Sequence, residues 1–220
     1  MEEHKIKING VELSLIRLNL KGWTSLDRFR KDMEDAISTS DFGKYFLAIV
    51  QFIEIASFSS KPIKWDKVAW FEVLDVYSKA VELNKPTIDF PVLHGNEKTN
   101  DKLPWEYDGR TWYFWLNLFS KNYGWNENQI EHLDLDTALG LYQEILIDEQ
   151  FKREWEYGIT EVAYPYNSST KKSEFKPLER PSWMKPLIPK QLPIVKIRSD
   201  MMPQGNIVDL SEPKKSASGI

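Results

Sequence analysis

Cysteine is absent from this chain of 220 residues, which removes disulfides, thiolate metal sites and cysteine nucleophiles together. Histidine is nearly absent: His4, His94 and His132 stand far apart, and none falls into an HxxxH or HExxH spacing. The 10 glycines are too dispersed for a phosphate-cradling loop or a GxGxxG turn, and no GxSxG occurs. No apolar run approaches the ~18 residues needed to span a bilayer. The opening "MEEHKIKING" is charged, so neither a signal peptide nor a membrane anchor is expected and the expected location is cytoplasmic.

Carboxylates, by contrast, are plentiful. Asp134 with Asp136, or Glu144 with Asp148 at i, i+4, could be drawn as an acid–base pair. An acidic, solvated helix face is the ordinary outcome in a body of this charge, so no enzymatic role is expected, and no metal or cofactor. The net charge of −4 is unevenly spread. Residues 165–220 hold ten Lys and Arg against five Asp and Glu, a balance of +5, which leaves −9 for residues 1–164. An acidic body argues against nucleic acid as a partner. The tail's basic residues are scattered, with no run longer than Lys171-Lys172 or Lys214-Lys215, whereas non-specific binding needs several phosphate contacts at once.

What is present reads as a mainly α chain. "KIKINGVELSLIRL" alternates Ile6 and Ile8, then Val11, Leu13 and Leu15, with polar residues, around Asn9-Gly10. That pair tolerates positive φ at both positions and predicts a hairpin. Helical spacing follows at Leu26, Phe29, Met33 and Ile37, with Thr24 or Ser25 as the expected cap. A second helix is expected after Ser40-Asp41, with Phe42, Tyr45, Phe46, Ile49 and Ile53 on one face, broken by "SFSSKP". A third is expected in "KWDKVAWFEVLDVYSKAVELN", apolar over much of its circumference and therefore central. These elements define a lobe over residues 1–84, followed by a proline-bearing loop over 85–108 and a second helical lobe over 109–164.

In the second lobe, Trp112, Trp115, Leu116 and Phe119 share a helical face, and Gly124 is placed to end that helix in the left-handed conformation. Asn126 with Gln129 forms a capping-box pattern. Asp134 or Asp136 is expected to cap a long helix through Leu139, Tyr142, Ile145 and Leu146. His132 is expected at the end of the short helix between, where an imidazole suits the dipole. The aromatics Trp105, Tyr107, Trp112, Tyr113, Trp115, Tyr123 and Trp125 admit three readings: core packing, stacking on a sugar or base, and a protein interface. Trp105 and Tyr113 lie off the apolar stripe and are the candidate exposed anchors, with Trp125 beside them.

Residues 165–220 carry eight of the 12 prolines and no sustained period, which predicts an extended basic arm. Trp183, Met184, Leu187 and Ile188 make it too apolar to float free. With Trp105, Tyr113 and Trp125 they are the expected protein-binding residues. An extended, strand-like path anchored by Trp183 is expected over 177–195.

"WYFWLNLFSKNYGWNENQIEHLDLDTALGLYQEIL", residues 112–146, resembles small helical proteins of the tail-morphogenesis regions of tailed bacteriophages, the tail assembly chaperones in particular. The resemblance lies in Tyr123-Gly124-Trp125, the Ile130 and Leu133 turn and the helix that follows. It implies a non-enzymatic protein of the host cytoplasm that shields a tail protein such as the tape measure. "RPSWMKP" departs from that group and raises an alternative, a virion structural component of neck, tail or baseplate whose arm ties subunits together. The implied partners are phage tail or virion proteins, with self-association admitted, and neither nucleic acid nor membrane.

Overall fold

The computed structural model describes residues 4–94 and 110–191, apart from the side chains of residues 27 and 28. Trp105 and Tyr107, and the arm beyond Gln191, lie outside the described residues. The fold is mainly α with a small N-terminal β element. Strands β1 (His4–Ile8) and β2 (Val11–Leu15) pair antiparallel across Asn9-Gly10, whose φ values of 48° and 79° are those the turn demands. A third strand, β3 (Ser57–Ser59), pairs with β2. "SFSSKP" thus breaks the helix before it but enters the sheet. Three residues are too few to show an alternation.

The helices are α1 (Leu20–Ser38), α2 (Phe42–Ile55), α3 (Trp70–Asn84), α4 (Thr111–Tyr123), α5 (Glu127–Glu131) and α6 (Leu135–Gly158). Two helix starts differ from expectation. Helix α1 begins four residues before Thr24, because the Asn19 side chain accepts from the Gly22 N–H at 2.9 Å. The Thr24 and Ser25 hydroxyls instead donate to the Lys21 carbonyl inside the first turn. Helix α3 begins only at Trp70, because Val68 and Ala69 are extended; Trp65–Lys67 forms a separate 3-10 turn. The caps expected later in the chain are observed. Gly124 takes φ 68° at the end of α4, Asn126 and Gln129 make both bonds of a capping box, and the Asp134 carboxylate accepts from the Thr137 N–H.

Among the described residues the chain forms two compact units, one within Met1–Lys152 joined by Glu179–Lys190, the other Arg153–Leu178. In the first, one apolar cluster joins the inner sheet face (Ile8, Leu13, Leu15) to Ile49 and Ile53 of α2 and Val73, Val76 and Ala80 of α3. A second gathers Trp115 and Phe119 of α4, Ile130, and Leu135, Leu139 and Tyr142 of α6, together with Leu20 and Phe90. Leu18 belongs to the first cluster and Leu20 to the second, so the start of α1 links them; the Leu20 N–H donates to the Leu133 carbonyl at 2.7 Å. A third, smaller cluster is formed by Ile147, Met184 and Ile188.

The second unit contains a two-residue hairpin, β4 (Tyr166–Asn167) with β5 (Lys172–Ser173), and a contact between the Tyr164 and Phe175 rings at 5.5 Å. The path expected to be strand-like over 177–195 forms no strand where it is described, over 177–191. Ser182–Met184 forms a 3-10 turn, closed by Met184 N–H donating to the Pro181 carbonyl, because proline at the turn's entrance presets its φ near the helical value. Among the described residues, no helix is long and apolar enough to cross a membrane.

Candidate protein-binding surface

Helix α1 ends in a tight reversal. Ser40 takes a left-handed φ of 55°, so that its N–H reaches the Ile37 carbonyl and the Asp41 N–H reaches the Ala36 carbonyl. Asp41 then caps α2 by accepting from the Lys44 N–H at 3.0 Å. This reversal leaves a hollow of about 220 Å³ between the helix ends, lined by Ala36, Ile37, Ser40, Asp41, Phe42 and Tyr45.

Its rim is apolar and open to solvent. Ile37 is 63 % exposed and Phe42 60 %. The Phe42 ring stands edge-on to Trp70 of α3 at 5.0 Å, and Tyr45 and Phe46 approach the same indole at 6.1 and 5.8 Å. Phe71, next along α3, is also exposed. Sequence periodicity assigned Ile37 and Phe42 to core-facing stripes. The reversal instead puts Ala36 in the buried position and turns both outward. The missed signal was Ser40, a residue type that does not advertise a left-handed helix end.

The residues expected to bind protein are dispersed. Tyr113 on α4 is 67 % exposed. Trp125 is partly buried, stacked on Tyr123 with centroids 4.9 Å apart, and packs against the second cluster. Trp183 packs against both the second and third clusters, while Met184 and Ile188 are buried in the third and Leu187 is exposed. Trp183, Met184 and Ile188 are therefore brought together, but as part of the chain's own packing. Trp112 of the aromatic stripe has the Lys21 ammonium 5.4 Å above its ring.

No family model, curated protein or solved structure matches this chain.

The titratable groups drawn as candidate acids and bases serve the fold. Asp136 accepts from the Arg17 guanidinium at 2.7 Å, from the Thr87 N–H at 2.9 Å and from the Thr87 hydroxyl. Burial pushes the Asp136 carboxyl up, but the Thr87 and Arg17 hydrogen bonds outweigh it and hold the group below its ordinary value. Asp134 is also held low: burial raises it, and the Thr137 hydroxyl and N–H, with the Arg17 charge, more than reverse that. Neither carboxyl is a proton donor at neutral pH. Burial and then the nearby Glu149 charge push the Tyr142 phenol up to about 12, so it stays neutral. Glu144 and Asp148 are exposed on α6, where their charges face Tyr123 and reinforce the upward push of burial on its phenol. His132 Nδ1 lies 2.8 Å from the Asn128 carbonyl, one turn back. Among the described residues, no group of three or more His, Asp or Glu could hold a metal ion.

The α1–α2 hollow suits a different task. At about 220 Å³ it falls below the roughly 300–1,000 Å³ of a small-molecule site. A recess that shallow, with Ile37 and Phe42 exposed at its rim, has room for a single side chain.

Proposed function

We propose that this chain is a non-enzymatic binding protein that shields an aggregation-prone partner, acting as a phage tail assembly chaperone acts, with the α1–α2 hollow receiving the partner's anchor. The single observation that carries this reading is the hollow with its rim of Ile37 and Phe42 and the Trp70 indole behind. Exposed apolar surface of this kind marks interaction sites on otherwise polar bodies. The excess of −9 over residues 1–164 keeps such a complex soluble. A long amphipathic helix, such as a tape-measure protein presents, offers apolar anchors at i, i+3 and i+4 to a recess of this size. The resemblance of residues 112–146 to the chaperones supports the phage setting.

The test is co-expression with a long helical tape-measure protein, the kind of partner this reading requires. The wild type should raise the partner's soluble fraction, and Phe42→Asp should abolish that gain while the chain itself stays folded. Equal solubilisation by both forms would overturn the assignment of the hollow. The chain should also be missing from purified virions. Its presence there at stoichiometric level would favour the structural-subunit alternative.

A further inference from the structure

The third apolar cluster is unlike the other two. It joins α6 to a segment that leaves the first compact unit after Lys152 and rejoins it only at Glu179. We propose that Glu179–Lys190 is an exchangeable strap, and that its seat on Leu146 and Ile147 of α6 accepts the same segment from a second copy of this chain.

The strap carries its own shape. The Arg180 guanidinium donates to the Pro189 carbonyl, the Met184 N–H to the Pro181 carbonyl at 3.1 Å, and the Leu187 N–H to the Met184 carbonyl at 3.0 Å. Pro181, Pro186 and Pro189 stiffen the same stretch in or out of its seat. Its grip is apolar: Met184 and Ile188 bury against Ile147, with Trp183 and Leu146 packed at the edge. The Ser182–Met184 turn also meets the Pro91–His94 turn beside the seat. The connection to its own seat runs through Arg153–Leu178, which has its own hairpin and its own internal contacts. The strap can therefore leave with that hairpin intact, giving up the third cluster and the packing of Trp183 on the second, and an identical strap from another copy restores both. Reciprocal exchange refills both seats and yields a two-fold dimer built from contacts the monomer already has, the low-cost route to self-association.

The test uses two full-length variants that cannot close on themselves. Ile147→Asp loses the seat and keeps the strap; Met184→Asp loses the strap and keeps the seat. Each alone should sediment as a monomer, and an equimolar mixture should form a 1:1 complex that a synthetic peptide of residues 177–191 dissolves. A mixture that sediments only as monomers, with both variants keeping the wild-type circular dichroism, would overturn the proposal. Should Ile147→Asp fail to fold, the labelled peptide decides alone. It should bind the Met184→Asp chain, and bind the wild type, whose seat is filled, about tenfold or more weaker. No binding to the Met184→Asp chain would show that the seat takes nothing in trans.

Discussion

Asn84, buried at the end of α3, spends its whole amide on neighbouring backbone. Its Oδ1 accepts from the Leu18 N–H at 2.7 Å, and its Nδ2 donates to the Ile16 and Ala80 carbonyls at 3.2 and 2.9 Å. Asn84→Asp removes both donations and puts a carboxylate beside two carbonyls. It should cost about 2–3 kcal/mol, read as a lower urea midpoint at unchanged slope. Asp136 makes a comparable knot with Arg17 and Thr87, but Arg17 is partly solvated. Asp136→Asn at neutral pH should therefore cost only about 1 kcal/mol. Its larger effect is on pH dependence. A carboxyl held low in the folded state contributes stability that is complete above its unfolded value of about 3.9 and is lost as pH falls through the lower folded value. Urea midpoints measured below about pH 4 should thus fall less steeply in Asp136→Asn than in the wild type. An unchanged acid limb would show that the carboxyl is not held low. Neither knot was legible in the sequence. Asn84 was only a helix end and Asp136 a cap or one of a pair, because their partners, Ala80 apart, sit 49 to 119 residues away and no periodicity reports a link of that length.

Local chemistry was legible wherever a residue type has one dominant use. Asn9-Gly10, Gly124 and the Asn126–Gln129 box each named their own turn or cap. The start of α1 was hidden because Gly22 sits in its first turn and the cap, Asn19, stands outside the apolar pattern. The sharpest contrast lies between two helix ends with the same backbone. Gly124 at φ 68° and Ser40 at φ 55° both occupy the left-handed region, but only the glycine announces it. Opposite substitutions should have opposite signs. A Cβ at Gly124 would meet nothing within 4 Å, so Gly124→Ala carries the strain alone and should destabilise by about 1 kcal/mol. Ser40→Gly relieves about 1–2 kcal/mol of strain but loosens the unfolded chain by about 0.5–1 kcal/mol. It should therefore stabilise by about 0.5 kcal/mol. Thermal melts of the two variants, shifted down and up respectively, check this. A destabilised Ser40→Gly would mean that the serine side chain supports the reversal and the hollow it frames.

For the whole molecule, packing decides which aromatics are displayed, and that choice is made by distant contacts. The helical stripe through Trp115 and Phe119 was readable as core, and Tyr113 as exposed. Ile37 and Phe42 were not readable as surface, and Met184 and Ile188 were expected to face a partner when they pack on Ile147 of their own chain. The strap's two large anchors are separable by what they touch. Among the described residues, Met184 belongs to the small third cluster, whereas Trp183 packs against the second as well. Local opening free energies follow such contacts and span a wide range within one protein. Truncating Met184 in a satellite cluster should cost about 2 kcal/mol, the low end for a buried methionine. Because proteolysis of an opened segment tracks its population, that cost corresponds to roughly 30-fold faster cleavage. Chymotrypsin should therefore cut the Leu187–Ile188 bond about that much faster in Met184→Ala, with the Tyr166–Asn167 bond of the second unit as an unchanged internal reference. The global melting temperature should barely move. Trp183→Ala should speed the same strap cut and also lower the melting temperature, because it opens the second cluster as well. If both variants left the strap bond as slow as in the wild type, the segment would be held by contacts other than these anchors. If Met184→Ala instead lowered the melting temperature as much as Trp183→Ala, the third cluster would be continuous with the core rather than a clasp beside it.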